Sequence, residues 1–304
     1  MKKILFPFVF CIALSQAWAQ QDALYSQYMQ NPLTINPAYT GIYNMFSATA
    51  ISRWQWVGMD GAPQTNILTA HSSIANNKLG VGAIILNDRF GISNNTEAQA
   101  TLAYKIRLSD SEDKVLSFGM QGGLINYNFN YADLRLKDGE DPNFANARLS
   151  STQPNVGAGV FYKGEKWFAG LSVPKMLNSS FDDGRTSDTQ YKRHFFLTAG
   201  YLVDFTTVQF KPSFLLRYVN GAPVSVDLNA SFLIKDILWL GASFRYLNST
   251  VFMAQIQLTD MLRLGYALDL PATSVIKTSY GSHELMLNID LKLLKSHDIG
   301  LRYF

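Results

Sequence analysis

Thr96-Glu-Ala-Gln-Ala-Thr-Leu-Ala-Tyr-Lys-Ile-Arg-Leu108 is written with a period of two. Ala98, Ala100, Leu102, Tyr104 and Ile106 take the even positions, and Glu97, Gln99, Thr101, Lys105 and Arg107 the odd ones. Successive side chains of a strand point to opposite faces, so this run has one apolar face and one polar face. The pattern recurs. Val226, Leu228, Ala230, Phe232 and Ile234 alternate with Ser225, Asp227, Asn229 and Ser231. Leu285, Leu287, Ile289, Leu291 and Leu293 alternate with Glu284, Asn288, Asp290 and Lys292.

Fourteen such runs follow one another, near 47–56, 65–74, 79–87, 96–108, 115–127, 154–162, 167–173, 193–203, 208–218, 225–234, 238–246, 249–258, 262–268 and 283–293. That is roughly one strand and connection per 20 residues, the spacing of strands of about ten residues joined by turns. Asn76-Asn77, Lys163-Gly164-Glu165-Lys166, Lys235-Asp236 and Thr259-Asp260 read as tight polar turns. Residues 133–153, 174–192 and 271–282 are rich in Asp, Asn, Ser, Gly and Pro and read as longer surface loops. No helical repeat of apolar residues persists for three turns. The chain is all-β, without a composition break that marks a second domain.

Composition narrows the class. Of 304 residues 47% are hydrophobic and only 16% charged, against roughly 25% charged in ordinary globular proteins. Disorder needs low hydrophobicity and high net charge, and this chain has neither. No run after the first twenty residues approaches the length of a membrane-spanning helix. A net charge of +3 without a basic stripe points away from nucleic acid.

Residues 1–19 read as a secretory signal peptide. Lys2 and Lys3 form the basic start, Ile4 to Leu14 the apolar stretch, and Ala17-Trp18-Ala19 the cleavage motif. Its removal takes away Lys2, Lys3 and no acid, leaving 24 basic against 23 acidic residues. It also takes away Cys11, the single cysteine, so the exported chain is thiol-free. No disulfide can staple it.

An exported all-β chain is either a soluble sandwich or a transmembrane barrel. Lys105, Arg107, Lys211, Arg217, Asp227, Arg245, Arg263, Asp290 and Lys292 all fall in register with polar faces, which would meet solvent in a sandwich and line the lumen in a barrel. Three features favour an outer-membrane barrel. Trp54, Trp56, Tyr104, Tyr127, Tyr162, Trp167, Tyr201, Tyr218, Trp239, Tyr246 and Tyr303 sit near strand ends, as aromatic girdles do. The strand number is even. The chain closes on Arg302-Tyr303-Phe304, which resembles the terminal signature of outer-membrane proteins. Residues 45–304 are therefore read as an antiparallel barrel of about 14 strands, with Arg53, Arg217, Asp227, Arg245 and Arg263 lining its lumen as ion pairs.

Residues 20–44 differ in kind. Asn31-Pro32 and Asn36-Pro37 lie five residues apart, and each proline removes a donor and biases the preceding Asn away from the helical region. Leu24, Tyr25, Tyr28, Met29, Leu33, Ile35 and Tyr39 give this stretch more apolar surface than a free tail carries. It reads as an ordered, extended segment that packs across the periplasmic mouth or into the lumen. Asn31, Pro32, Asn36, Pro37 and Tyr39 are the candidates either for binding a partner, since a preset backbone loses little entropy on docking, or for holding a plug against the barrel wall.

The segment from Tyr25-Ser-Gln27-Tyr28 through Asn31-Pro32-Leu33-Thr-Ile-Asn36-Pro37-Ala38-Tyr39-Thr-Gly41, followed by Arg53-Trp-Gln55-Trp56-Val57-Gly58 and Gly61-Ala62-Pro63, resembles the PorP/SprF family of the Bacteroidetes type IX secretion and gliding system. Gly80-Val-Gly82, Asn87-Asp88, Pro154-Asn155-Val-Gly157-Ala-Gly159, Asp227-Leu-Asn229, Trp239-Leu240-Gly241 with Arg245, and Gly281-Ser282-His283-Glu284 fit the same pattern. Leu301 stands where the family pattern would place Pro, a small departure. The resemblance implies a barrel that helps a type IX cargo, such as an adhesin or a sorting-domain protein, to be exported or retained at the surface. It also implies contact with periplasmic proteins bound to peptidoglycan, with outer-membrane lipid around the barrel.

Enzymatic readings find little footing. His71, His194, His283 and His297 have no metal-ligand spacing. His283 beside Glu284 suggests half a triad, yet no G-x-S-x-G elbow accompanies it. Gly157-Ala-Gly159 lies inside a strand pattern, where Gly marks a bend or close backbone approach rather than a nucleotide loop. Lys137-Asp-Gly-Glu-Asp141-Pro lacks the alternating ligands of a calcium loop. The chain is read as a non-enzymatic barrel without cofactor. Its alternative role is a transport barrel for hydrophobic or small solutes, like the fatty-acid transporters. A neighbouring gene for a giant adhesin or a sorting-domain protein distinguishes the two.

Overall fold

A computed structural model describes residues 25–109, 114–131, 148–177, 179–181, 189–245, 249–298 and 303–304. The expected signal at 1–19, the acidic stretch at 137–142 and Tyr246 lie outside the described residues. The strands are β1 Phe46–Trp54, β2 Gln64–Ile74, β3 Leu79–Phe90, β4 Ser93–Arg107, β5 Val115–Asn130, β6 Arg148–Lys163 and β7 Trp167–Val173. They continue with β8 Ser179–Phe181, β9 Thr189–Tyr191, β10 His194–Tyr201, β11 Val203–Phe205 and β12 Val208–Val219. The last five are β13 Ser225–Ile234, β14 Leu238–Arg245, β15 Ser249–Gln257, β16 Leu262–Pro271 and β17 Ser282–Leu291.

β8 and β9 pair only with each other, and β11 continues β10 beyond Leu202 along the same neighbour, β12. The remainder is a closed antiparallel barrel of fourteen strands. Each strand pairs with its neighbours in sequence, and the seam is sealed by β1 against β17, from Phe46 opposite Leu291 to Trp54 opposite His283. Closure leaves no sheet edge, the condition for strands to cross a hydrocarbon layer with every backbone group paired.

The faces are inverted relative to a water-soluble protein. On β4, Leu102, Tyr104 and Ile106 point outward, 46%, 54% and 40% exposed, whereas Glu97, Gln99, Thr101 and Lys105 are buried inside. On β13 Leu228 and Phe232 face out while Asp227, Asn229 and Ser231 face in. This is the arrangement of an outer-membrane barrel, with an apolar band toward lipid and a polar interior.

The two ends of the barrel differ. At the end where β1 begins and β17 stops, the connections 75–78, 108–114, 164–166, 206–207, 235–237 and 258–261 are all short. Two of them turn through left-handed residues, Ala75, Asn76 and Asn77 in one and Lys235 and Asp236 in the other, the backbone that matches the twist of tight hairpins. The longer connections, 55–63, 131–147, 174–193 and 272–281, gather at the opposite end. Short turns mark the periplasmic side and long loops the extracellular side.

Several expectations are corrected. β6 begins at Arg148, so part of the stretch read as a loop over 133–153 is strand. It pairs with β5 up to Asn130 opposite Arg148, and Asn126 donates to Ser150 and Thr152 at 3.0 and 2.8 Å. Tyr127 and Trp239 do not join an outer girdle. Their register places them on the inward faces, 3% and 6% exposed, and the Lys211 ammonium sits 4.5 Å over the Trp239 ring. The last strand stops at Leu291 rather than 293. Tyr303 and Phe304 belong to no strand, and Phe304 is buried.

The inversion sets a test on β4. Leu102→Arg is expected to cost about 2–4 kcal/mol in equilibrium unfolding from lipid vesicles, because it places a charge in the apolar band. Leu102→Phe should be nearly neutral.

Candidate functional site: a plugged lumen

The segment expected to be extended is folded into three short turns of 3-10 helix, Ser26–Met29, Pro32–Thr34 and Pro37–Tyr39. Proline accounts for the difference. Its fixed φ suits the first helical position, where its missing donor costs nothing, and both Asn-Pro pairs open a turn in this way. Asn36 caps its turn by accepting from the Ala38 amide at 2.9 Å. Asn31 makes no such cap and donates instead to Thr69 on the barrel wall at 2.9 Å. Asn31, Pro32, Asn36, Pro37 and Tyr39 are all buried.

The turns run along the lumen and are hydrogen-bonded to six of its strands. Ser26 and Gln27 donate their backbone amides to the Glu284 carboxylate of β17 at 2.6 and 3.1 Å. The Tyr28 hydroxyl accepts from Asn229 at 3.0 Å and lies 3.5 Å from Asp227, both on β13. Ser172 of β7 donates to the Ile35 carbonyl at 2.6 Å, and Asn36 donates to the Val160 carbonyl of β6 at 3.0 Å. Thr40 reaches Thr101 of β4 at 2.9 Å, and the Gly41 amide donates to His71 Nδ1 of β2 at 3.1 Å. Lys105 donates to the Gly41 carbonyl and to the Asn77 side chain. Tyr39 packs edge-on against Phe161, with ring centroids 5.4 Å apart.

Glycines on the inner wall make room for this path. A methyl added at Gly119 would overlap the Ala38 backbone, one at Gly80 the Thr40 carbonyl, and one at Gly159 the Asn36 side chain. A side chain at Gly265 would meet Gln27. The close approach expected of Gly157 and Gly159 therefore has identified partners: for Gly159 it is the plug, and for Gly157 it is Pro174. Pro174 belongs to an outer loop that bends inward, its carbonyl accepting from Gln121 and Asn155 at 3.0 Å each, while Lys175 pairs with Glu97 at 3.0 Å.

The lumen charges form a chain. Arg53 bridges Glu284 and Asp269, at 3.0 Å to the latter. Arg245 pairs with Asp227 at 3.1 Å and approaches Asp269 at 3.6 Å. Arg263 stands apart, held by Asn288 at 2.7 Å and Asp290 at 2.8 Å. Arg217 is buried in the wall of a cleft that Tyr25 and Ile35 of the plug also line, together with Asp88. Glu284, Asp269 and Asn288 escaped the sequence reading as lumen partners. Their signal is cross-strand register: Arg263 faces Asn288 between consecutive strands, while Arg53 faces Glu284 across the seam, a pairing that only closure reveals. His283 and Glu284 are divided between the two faces. His283 meets Tyr266 on the outer surface at 2.7 Å, while Glu284 is fully buried inside.

The C-terminal residues close the inner end. The Phe304 carbonyl oxygen accepts from the Tyr39 and Tyr43 hydroxyls at 2.7 and 3.0 Å, its ring lies 5.2 Å from that of Phe168, and Lys211 donates to the Tyr303 carbonyl at 2.8 Å.

A sequence profile of the family described as type IX secretion system membrane protein PorP/SprF matches residues 17–289. The chain belongs to this family. PorP/SprF proteins are secretion-system membrane barrels rather than an enzyme family. No curated protein matches this PorP/SprF chain. Among solved structures, it is similar to the outer membrane protein Omp33 of Acinetobacter baumannii, with 8% identity, a TM-score of 0.46, and coverage of 84% of this chain and 100% of that one. It is also similar to a Pseudomonas aeruginosa FadL homologue, with 9% identity, a TM-score of 0.46, and coverage of 84% and 91%. A KdgM porin solved with oligogalacturonate has 8% identity, a TM-score of 0.37, and coverage of 82% and 99%.

Two variants test the plug. Gly119→Leu is expected to displace the turn at Pro37–Tyr39 while the barrel stays folded, so planar-bilayer recordings should show channel openings that the parent protein lacks. Glu284→Ala removes the acceptor shared by Ser26, Gln27 and Arg53; Arg53 keeps Asp269 at 3.0 Å, so the loss falls on the two buried amides and should lower unfolding stability by about 1–3 kcal/mol.

Proposed function

We propose that this PorP/SprF protein is a non-enzymatic accessory of type IX secretion, carried out of the cytoplasm by a signal at residues 1–19. It assists the export or surface retention of a secreted cargo, an adhesin or a sorting-domain protein. The observation that carries this reading is the occupied lumen. A solute conduit needs a path, and here the space between the strands holds the Tyr25–Tyr43 segment, bonded to β2, β4, β6, β7, β13 and β17. A barrel filled in this way serves as a platform.

The outer rim suits a protein partner. Val57 donates to the Gly281 carbonyl at 2.9 Å, Tyr280 to Val57 at 2.8 Å, and Gly91 to Gly61 at 3.1 Å, so the loops 55–63, 91–92 and 272–281 are joined into one surface. Met59, Phe90, Ile276 and Tyr280 are exposed on it, Tyr280 at 79%. Large apolar side chains grouped at a rim are typical of interaction sites. Contact with periplasmic, peptidoglycan-associated proteins falls to the short turns, because Asn31, Pro32, Asn36, Pro37 and Tyr39 are enclosed within the barrel.

Deletion of the gene tests the reading. The expected outcome is loss of a sorting-domain protein or adhesin from the surface proteome of intact cells, with fatty-acid uptake unchanged. Normal display with impaired uptake contradicts it and favours the transport barrel.

A further inference from the structure

The lipid-facing band is not equally bulky all round. On β4 and β5 its outward positions carry Leu102, Tyr104, Ile106, Phe118, Met120 and Leu124. On β1 and β15 they include Ala50, Ser52 and Ala254 instead, and there the outer face is hollowed into an apolar groove of about 630 Å³. Cross-strand register lays out its lining. Ser52, Leu285, Tyr266 and Ala254 stand side by side in one row, and Ala50, Leu287, Leu264, Ile256 and Leu238 in the next. The rows cross five strands, roughly 19 Å at the usual spacing. They also descend. Trp54, which lines the groove, ends β1 at the outer loop 55–63, whereas Leu238 opens β14 after the short turn 235–237.

We infer that this face binds one phosphate-bearing lipid of the outer leaflet, its tail in the groove and its phosphate at His283 and Lys277. The groove is continuous with the apolar band already turned to hydrocarbon, and a hollow there forfeits dispersion contacts along its lining unless a chain fills it. One leaflet of the hydrocarbon core is roughly 15 Å deep, so an oblique groove of this length suits a lipid tail. The upper end selects the headgroup. His283 lies opposite Trp54 and is the one histidine on the outer face, since His71, His194 and His297 are buried. The Tyr266 hydroxyl, on the groove wall, is 2.7 Å from His283 Nδ1, which fixes the ring at the groove's edge and leaves Nε2 for another partner. Lys277 is exposed on the loop 272–281 that joins β16 to β17, the two strands carrying this pair. Tryptophan at a strand end marks the headgroup level, and an imidazole and an ammonium at that level complement a phosphate. The site lies outside the barrel and is independent of the cargo role.

Native mass spectrometry tests it on protein extracted from outer membranes, stripped of lipid by exchange into non-ionic detergent and titrated with two probes. One is diphosphoryl lipid A; the other is a diglucosyl diacylglycerol, which has sugars and tails but no phosphate. The parent is expected to bind one lipid A about tenfold more tightly than the phosphate-free glycolipid, the effect of a hydrogen bond to a charged group. The pair His283→Ala and Lys277→Ala should bring lipid A down to the level of the glycolipid and leave the glycolipid unchanged. The pair Ala50→Phe and Ala254→Phe fills the groove and should weaken lipid A about tenfold, the worth of two buried methylenes. All four positions lie outside the inward-facing core, and heat-modifiable migration verifies that each variant has folded. Equal binding of the two probes by the parent overturns the inference, as does lipid A binding that survives filling of the groove. A parent dimer that the filling pair dissociates also overturns it, because the occupant is then a second copy of the chain. Cargo display is not read in this experiment, so its outcome is separable from that of the gene deletion.

Discussion

In a lipid bilayer an unpaired backbone amide has no water to turn to, so a sheet that crosses it must close on itself. Much else in this protein follows from the seam between β1 and β17. Once Phe46–Trp54 is paired with residues 283–291, strand alternation sends every second side chain to lipid and every second one inward. Low charge and ordinary hydrophobicity are then the average of two opposite faces. The seam also places Arg53 opposite Glu284, which starts the ion-pair chain through Asp269, Arg245 and Asp227.

A polar interior then needs partners. Buried carboxylates and amides are tolerable only when hydrogen-bonded, and the plug supplies many of those bonds. Glu284 is the clearest case, receiving Arg53 and two plug amides. Buried ion pairs are weak sources of stability, because desolvation offsets attraction. Their contribution here is directional. They admit one placement of Ser26–Tyr28, and the glycines at 80, 119 and 159 admit one path for the rest. Backbone contact and charge thus divide the work between the periplasmic and extracellular ends of the lumen.

The barrel was legible in the sequence because period two is a local property. Thr96 to Leu108 needs no distant residue to be read, and the fourteen runs correspond to the fourteen strands. What depends on register was not legible. Tyr127 and Trp239 look like girdle aromatics until parity with Gln121 and Gly241 turns them inward. Arg53 and Glu284, far apart in sequence, meet only at closure. The Asn-Pro pairs announced an ordered segment, and their chemistry permits both an extended path and the turns that form. The contacts with the wall decide between them. Tyr303 and Phe304 resemble the terminal signature of outer-membrane proteins, which leaves strand or tail open; Phe304 is captured by Tyr39 and Tyr43, a tertiary contact with no local signal.

The central claim is that the segment Tyr25–Tyr43 is part of the folded barrel rather than an appendage to it. Hydrogen exchange in detergent or nanodiscs measures this directly at the amides of Ser26, Gln27, Ala38 and Gly41, each bonded to a side chain. Protection comparable with that of the β1 amides is the predicted result. Exchange as fast as in an unstructured peptide, with β1 still protected, would contradict the account.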